Sequence, residues 1–411
     1  MYLKKITIVI NYINLISCIY LAAASICYPS TQQVGYYFFS ISYLFEIFLD
    51  RKWKNFRIDK VKIYYLALLL FFLLIFIYHP FESSSKYFNR LVEMRLALLG
   101  FAVVGFLGVN RLYKLAYIGN AFVGSSLIAI LFLIFKAVGI KEFITNPERA
   151  DLINGMRILY INSHLVFNVY LNISLAFCYY YILEFKNLGN GKWKILFYIF
   201  SAILFFYFLV ISEGRIGITT SICLLIFIIG TNLWKVRKLY FVIFMLLAPI
   251  VVGILLSNHK RMTPAEIKYD PHYFIWHAAT EVAKNQPLMG YGASRAQEVF
   301  DVSMNKFAPK EYIIAWGVNS MLNCQNQFLQ TYMEFGIIGL VLLVYLILTP
   351  FILAESKRRS LTISLIFIIV AQFNTEIVLT VQGFAMIFGF IVLTINVIKD
   401  ENVDLKHKLD A

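Results

Sequence analysis

Apolar runs recur along almost the whole chain, separated by short polar turns. A helix that crosses a bilayer needs about 20 apolar residues. Twelve stretches fit: 6–27, 34–48, 62–79, 96–109, 115–136, 164–184, 194–211, 215–234, 239–257, 332–354, 360–375 and 380–398. The second and eleventh are short, and Glu46 sits inside the second. The first run is long enough to span and has no small-residue cleavage pattern after it, so it reads as a helix rather than a removed leader. The pattern predicts an all-α polytopic membrane protein with about 12 transmembrane helices.

One long polar segment interrupts this pattern, from Ser257 to Thr331, between the ninth and tenth runs. It divides the chain into 1–257, 258–331, 332–398 and a charged tail, 399–411. Inside it, Tyr273 to Asn285 predicts a helix carrying His272, Trp276, His277 and Glu281 at or near its start. A turn follows, Pro287-Leu288-Met289-Gly290-Tyr291-Gly292. The segment closes on Asn323-Cys324-Gln325-Asn326-Gln327-Phe328-Leu329-Gln330. Glu334-Phe335-Gly336-Ile337-Ile338-Gly339 then opens the next apolar helix.

Composition agrees with the pattern. Hydrophobic residues make up 60% of the chain and charged residues 15%, where soluble proteins carry about 25% charged residues. The net charge of +14 does not point to nucleic acid, because no basic stripe or binding motif is present. The basic residues lie in short loops, which sets topology and favours anionic lipid surfaces. With the N-terminus inside, the inner segments hold more than half of the 37 basic residues. They include Lys4 and Lys5, the group from Arg51 to Lys62, Arg111 and Lys114, Lys235 to Lys238, and Lys357 to Arg359. Both termini then lie inside, and the long segment lies outside the cytoplasmic membrane.

The five cysteines are Cys18, Cys27, Cys178, Cys223 and Cys324. Most lie in apolar runs, where a thiol acts as a small core residue. Cys27 and Cys324 both fall on the predicted outer side, which allows one disulfide. No metal-ligand spacing is present.

Candidate chemistry gathers on that outer side. Arg95 begins the fourth run, Arg157 precedes the sixth, Arg261 follows the ninth and Arg295 follows the Pro-Gly turn. Arg215 tips the tight turn Ser212-Glu213-Gly214-Arg215-Ile216-Gly217. An arginine fork donates two hydrogen bonds to a diphosphate and stays charged. The plain alternative is snorkelling, or pairing with Glu93, Glu148 or Glu213. Arg215 has the strongest functional case, because its turn is too short to solvate it. His164, His272 and His277 titrate near neutrality and suit a general base; a structural role suits each as well. Tyr273, Trp276, Thr280 and Ala283 share a helical face that fits a membrane surface, a sugar or a core. The Gly290-to-Gly292 turn offers backbone N–H groups to an anion.

These pieces together resemble the O-antigen ligase and O-antigen polymerase family of bacterial inner-membrane proteins. The resemblance rests on the Arg215 turn, Trp276 with the Pro287–Gly292 turn, the Asn326–Gln330 run and the Glu334–Gly339 helix start. It implies transfer of a glycan from undecaprenyl diphosphate on the periplasmic face, with the long periplasmic loop between helices 9 and 10 carrying the site. The acceptor is a lipid A–core sugar for a ligase, or another lipid-linked repeat for a polymerase. Arginines hold the diphosphate, and no metal, nucleotide or other cofactor is needed. Family members commonly have a His immediately before the Asn corresponding to Asn326. Here that position is Gln325, which cannot take a proton at neutral pH. The resemblance therefore leaves open which residue is the base: His164, His272, His277 or Glu281, with Gln325 and Asn326 positioning the acceptor, or none in an inactive relative. A transporter is the competing class, but repeats and mid-membrane charges beyond Glu46 are not evident.

Overall fold

The computed structural model describes residues 2–27, 29–49, 57–77, 85–107, 115–139, 141, 164–183, 191–212, 214–257, 272–307, 323–354 and 358–397. Every extended element among them is helical. That is the expected solution for segments that must satisfy their own backbone hydrogen bonds in hydrocarbon. In order they are α1 (Tyr2–Ala24), α2 (Pro29–Leu49), α3 (Lys60–Ile77), α4 (Ser85–Leu107), α5 (Leu115–Phe132), α6 (His164–Leu183), α7 (Lys192–Ile211), α8 (Arg215–Val236) and α9 (Lys238–Ser257). Then come α10 (His272–Asn285), α11 (Arg295–Phe307), α12 (Gln327–Leu353), α13 (Arg359–Phe373) and α14 (Gln382–Val397). A π-helical turn, Leu133–Val138, extends α5, and a 3-10 turn, Val378–Thr380, precedes α14.

Each of the twelve apolar stretches falls on one of these helices. Six helices are long and apolar enough to cross a membrane: α3, α5 with its π turn, α6, α7, α8 and α12. Shorter apolar segments lie in α1, α9, α13 and α14. The chain is a multi-pass membrane protein. Its outward faces stay apolar, as at Ile203 and Leu246, which are 66% and 67% exposed. A side chain of this kind so exposed on a helix face belongs against lipid rather than water.

The bundle closes around aromatic side chains. Phe390 of α14 meets Phe39 of α2, Phe101 of α4 and Phe122 of α5, with ring centroids 5.9, 6.3 and 6.2 Å away. Hydroxyls cross-link the helices where polar groups are buried. Ser126 and Ser174 lie 2.8 Å apart between α5 and α6, and Tyr64 of α3 donates to the Leu346 carbonyl of α12 at 3.1 Å. Glu46 of α2 accepts from Asn14 of α1.

Two boundaries differ from the pattern in a way that matters. Helix α4 starts at Ser85, not near 96, so Arg95 sits in mid-helix instead of at its mouth. Helix α12 starts at Gln327, not 332. The apolar count stopped at Arg95 in α4, which Glu334 neutralises, and at the polar residues ahead of 332, where α12 instead begins behind the Asn326 cap. Helix interiors therefore hold charges besides Glu46.

The long segment carries the predicted α10 and also α11, which form a hairpin packed on α12. Ile275, Ala278, Ala279, Val282, Ala283, Ala296, Phe300 and Met304 make a second core with Cys324 and Met333. The buried face of α10 is thus Ile275–Ala279–Val282. Tyr273, from the expected stripe, is 72% exposed. All five cysteines are free, so the allowed Cys27–Cys324 disulfide is not formed.

Candidate functional site

The site is built where the hairpin meets the head of α12. Gly336 breaks that helix, with φ 60° and ψ −156°, a region essentially confined to glycine. The Pro287–Gly292 turn docks into the break. Tyr291 N–H donates to the Met333 carbonyl at 2.8 Å, and Gly292 N–H to the Glu334 carbonyl at 2.9 Å. In return Ile337 N–H donates to the Pro287 carbonyl at 2.9 Å. A side chain on Gly290 (φ 70°) would strike the Glu334 backbone, and one on Gly336 would strike the Leu288 carbonyl. This corrects one expectation. The N–H groups of Gly290, Tyr291 and Gly292 are all committed to carbonyls, Gly290 to that of Gln286 at 2.9 Å. Those of Tyr291 and Gly292 dock the turn onto α12, and that of Gly290 closes the turn on itself, so they are not presented to an anion.

Where the turn docks lies a buried ion pair. Arg95 donates through one terminal nitrogen to both Glu334 oxygens, at 2.8 and 2.7 Å. Arg95 is 1% exposed, and its guanidinium carbon lies 5.8 Å from the Phe335 ring centroid. Gln330 adds a bond to Glu334 at 2.8 Å. Burying two charges is costly unless both are paired and further hydrogen-bonded; the pairing is met and Glu334 has its extra bond, while Arg95 Nε has no partner among the described residues. Arg95 is therefore buried against Glu334 instead of standing on an outer rim.

The Asn323–Gln330 segment is equally ordered by its own chemistry. Asn326 caps α12, its Oδ1 accepting from Leu329 N–H at 3.0 Å, the usual use of Asn at a helix start. Gln325 has φ 47°, the one positive φ among described residues other than glycine. Asn323 Oδ1 supports it by accepting from Gln325 N–H at 3.0 Å. Cys324 Sγ lies 3.1 Å from the Asn326 carbonyl and 3.2 Å from Gln330 Oε1. Burial pushes its thiol up, so it stays neutral and structural. The segment also grips the α13–α14 loop. Asn326 Nδ2 donates to the Asn374 carbonyl at 3.3 Å, and Leu379 N–H donates to Gln327 Oε1 at 2.7 Å.

A second anchored turn carries Arg215, the first residue of α8. Asn168 and Asn172 of α6 hold it. Ser212 Oγ donates to Asn168 Oδ1 at 3.0 Å, and Asn172 Nδ2 to the Gly217 carbonyl at 3.1 Å. Both asparagines are buried, and Asn172 Oδ1 has no partner among the described residues. Neither was singled out in the sequence. The signal was available, as Asn at i and i+4 in an otherwise apolar helix.

Residues 200–344 match the family model described as O-antigen ligase. The match supports the O-antigen ligase and polymerase family over that segment of the chain. The matched span holds the Arg215 turn, the docked Pro287–Gly292 turn and the α12 break in one segment of the chain. No curated protein matches it.

The remaining expected residues fall around this centre. Trp276 is partly buried beside the hairpin core, His272 edges onto its ring at 5.4 Å, and Trp276 Nε1 has no partner among the described residues. His277 is exposed, stacked on Tyr273 and edge-on to Phe307 at 4.7 Å. Glu281 pairs with Lys284 at 2.7 Å, which holds its carboxyl below the usual range. Arg295 is exposed at the start of α11. Arg157 and Arg261 lie outside the described residues, as do the side chains of His164 and Arg215. Among the described residues no three His, Cys, Asp or Glu side chains form a metal-binding group.

Proposed function

We propose that this protein transfers a glycan from a polyprenyl diphosphate, undecaprenyl diphosphate in a bacterial inner membrane, to a glycan acceptor on the periplasmic face. The ligase form, with lipid A–core as acceptor, is the leading reading. The observation that carries it is the docking of the Pro287–Gly292 turn into the Gly336 break. It joins two short motifs of the matched segment into one rigid platform at the head of an apolar helix. A lipid-linked sugar presents its reacting carbon at that depth.

In this reading Arg215, helped by Arg157, Arg261 and Arg295, holds the diphosphate. Charge stabilisation of a leaving group is commonly the largest catalytic contribution. Trp276 offers a ring face for the sugar, and Gln325 and Asn326 orient the acceptor hydroxyl. Arg95 acts at one remove, by fixing Glu334 and with it the platform. The long loop, 258–331, is the periplasmic part, between membrane helices ending at 257 and resuming at 332, and the 399–411 tail lies inside.

The test is to delete the gene and examine surface polysaccharide. Loss of all long chains from lipid A–core, with lipid-linked polymer accumulating, supports the ligase. A single repeat remaining on the core identifies a polymerase. Unchanged polysaccharide overturns both.

A further inference from the structure

Gln325 cannot accept the acceptor's proton, and three described carboxylates of the hairpin and α12 are already engaged. Glu281 is paired with Lys284. Asp301 accepts from Gln297 at 2.8 Å. Glu334 is shared by Arg95 and Gln330. Glu376 differs. It lies in the short loop between α13 and α14, and its carboxylate makes no ion pair or side-chain hydrogen bond among the described residues. Its position is fixed on both sides by the acceptor segment itself. Asn326 holds the Asn374 carbonyl and Gln327 holds Leu379 N–H, so Glu376 sits between two bonds from the residues that follow Gln325. Its own backbone N–H is anchored to the Gln372 carbonyl at 3.0 Å. The next residue, Ile377, packs into the hairpin core.

Resting on the glycan-transfer reading, we propose that Glu376 is the general base of this enzyme, taking the role that Gln325 cannot fill. The acceptor hydroxyl oxygen bonds to the anomeric carbon of the donor sugar. The bond from that carbon to the diphosphate oxygen breaks, and the lipid diphosphate leaves with the electron pair. The hydroxyl proton passes to a Glu376 carboxylate oxygen and is then released to water. Nothing is oxidised or reduced.

The protonation chemistry is suited to the task. Burial raises the Glu376 carboxyl to about 7, and a base works best with its pKa near the working pH. The described titratable and charged groups on the elements around this loop include Cys324, Tyr332 and Tyr291 of the hairpin core, the mutually paired Arg95 and Glu334, the exposed Glu93 and Arg359 at the far end of α13. Burial is the only influence found on Glu376 itself.

The experiment uses membranes containing the full chain. The donor is the lipid-linked glycan extracted from cells lacking it, and the acceptor fraction comes from the same cells. Transfer by the native protein should rise with pH through about 7 and then level. E376Q should be slower by about 10²–10⁴-fold, the usual worth of a base, and should lose the acid limb. Adding Gln325→His to E376Q should restore part of the rate, which a purely structural loss would not allow. No transfer by the native protein overturns the glycan-transfer reading and this assignment with it. Transfer with E376Q unchanged overturns the assignment alone. If E376Q fails to accumulate, E376D decides. An acid limb displaced from the native one supports the base, and an identical limb overturns it.

Discussion

Arg95 of α4 and Glu334 of α12 are 239 residues apart in sequence and 2.7 Å apart in space, both almost fully buried. The pair ties α4 to the break in α12, where the Pro-Gly turn docks. Removing one partner strands the other. Glu334→Gln or Arg95→Met should each cost about 3–5 kcal/mol, whereas Arg95→Met with Glu334→Leu together should cost much less. Thermal melting of the detergent-purified protein checks this. A double variant as unstable as the singles would mean the charge pair is not what holds the site.

Gly336→Ala should be poorly tolerated. Its backbone lies in the glycine-only region, at a cost of order 1–3 kcal/mol for another residue, and the new methyl would meet the Leu288 carbonyl. Gly124→Ala in α5, where an added methyl meets nothing within 4 Å, is the comparison. Proteolysis of the loop in membranes should rise for the first more than for the second.

Arg215→Ala should abolish transfer while leaving the protein in the membrane. Arg215→Lys should recover only part, because lysine lacks the two-donor fork. The readout is glycan transfer followed by gel, normalised to abundance. A fully active alanine variant at normal abundance removes Arg215 from the mechanism.

Asn326→Ala should lower both activity and stability, the latter by about 1 kcal/mol for the lost helix cap. Gln325→Ala should reduce activity modestly, and Gln325→His should preserve or raise it. Gln325→Gly separates fold from chemistry. It suits the positive φ, so it should keep abundance while losing the side chain's contribution to rate. If Gln325→His and Asn326→Ala both leave the rate unchanged, this segment does not position the acceptor.

Single cysteines at 285 and 306, in a background without the native thiols, should react with an impermeant reagent in intact spheroplasts. Cysteines at 54 and 358 should not. The basic inner loops motivate this arrangement. Labelling at 54 but not 306 reverses the orientation, and with it the side on which the site lies.

The local record in the chain was sufficient for the helices and for where they recur. A spanning helix is specified by the composition of its own residues, since the bilayer supplies the same apolar surroundings to each. The Arg215 turn, the Pro-Gly turn and the Asn326 cap were legible for a similar reason, as short motifs with local geometry. What only the tertiary structure decided was partnership. Helix α4 runs through Arg95, past its apparent boundary, because Glu334 neutralises it, and no local pattern announces a partner 239 residues away. The N–H groups of the Gly290–Gly292 turn read as free donors in sequence, yet Tyr291 and Gly292 give theirs to α12 and Gly290 gives its own to Gln286. Glu376 was one acidic residue among 23 Asp and Glu. Its loop is held by Asn326 and Gln327 from a distant segment, and burial brought about by the fold cannot be read along a chain. That is why the bundle was visible in the sequence and the candidate base was not.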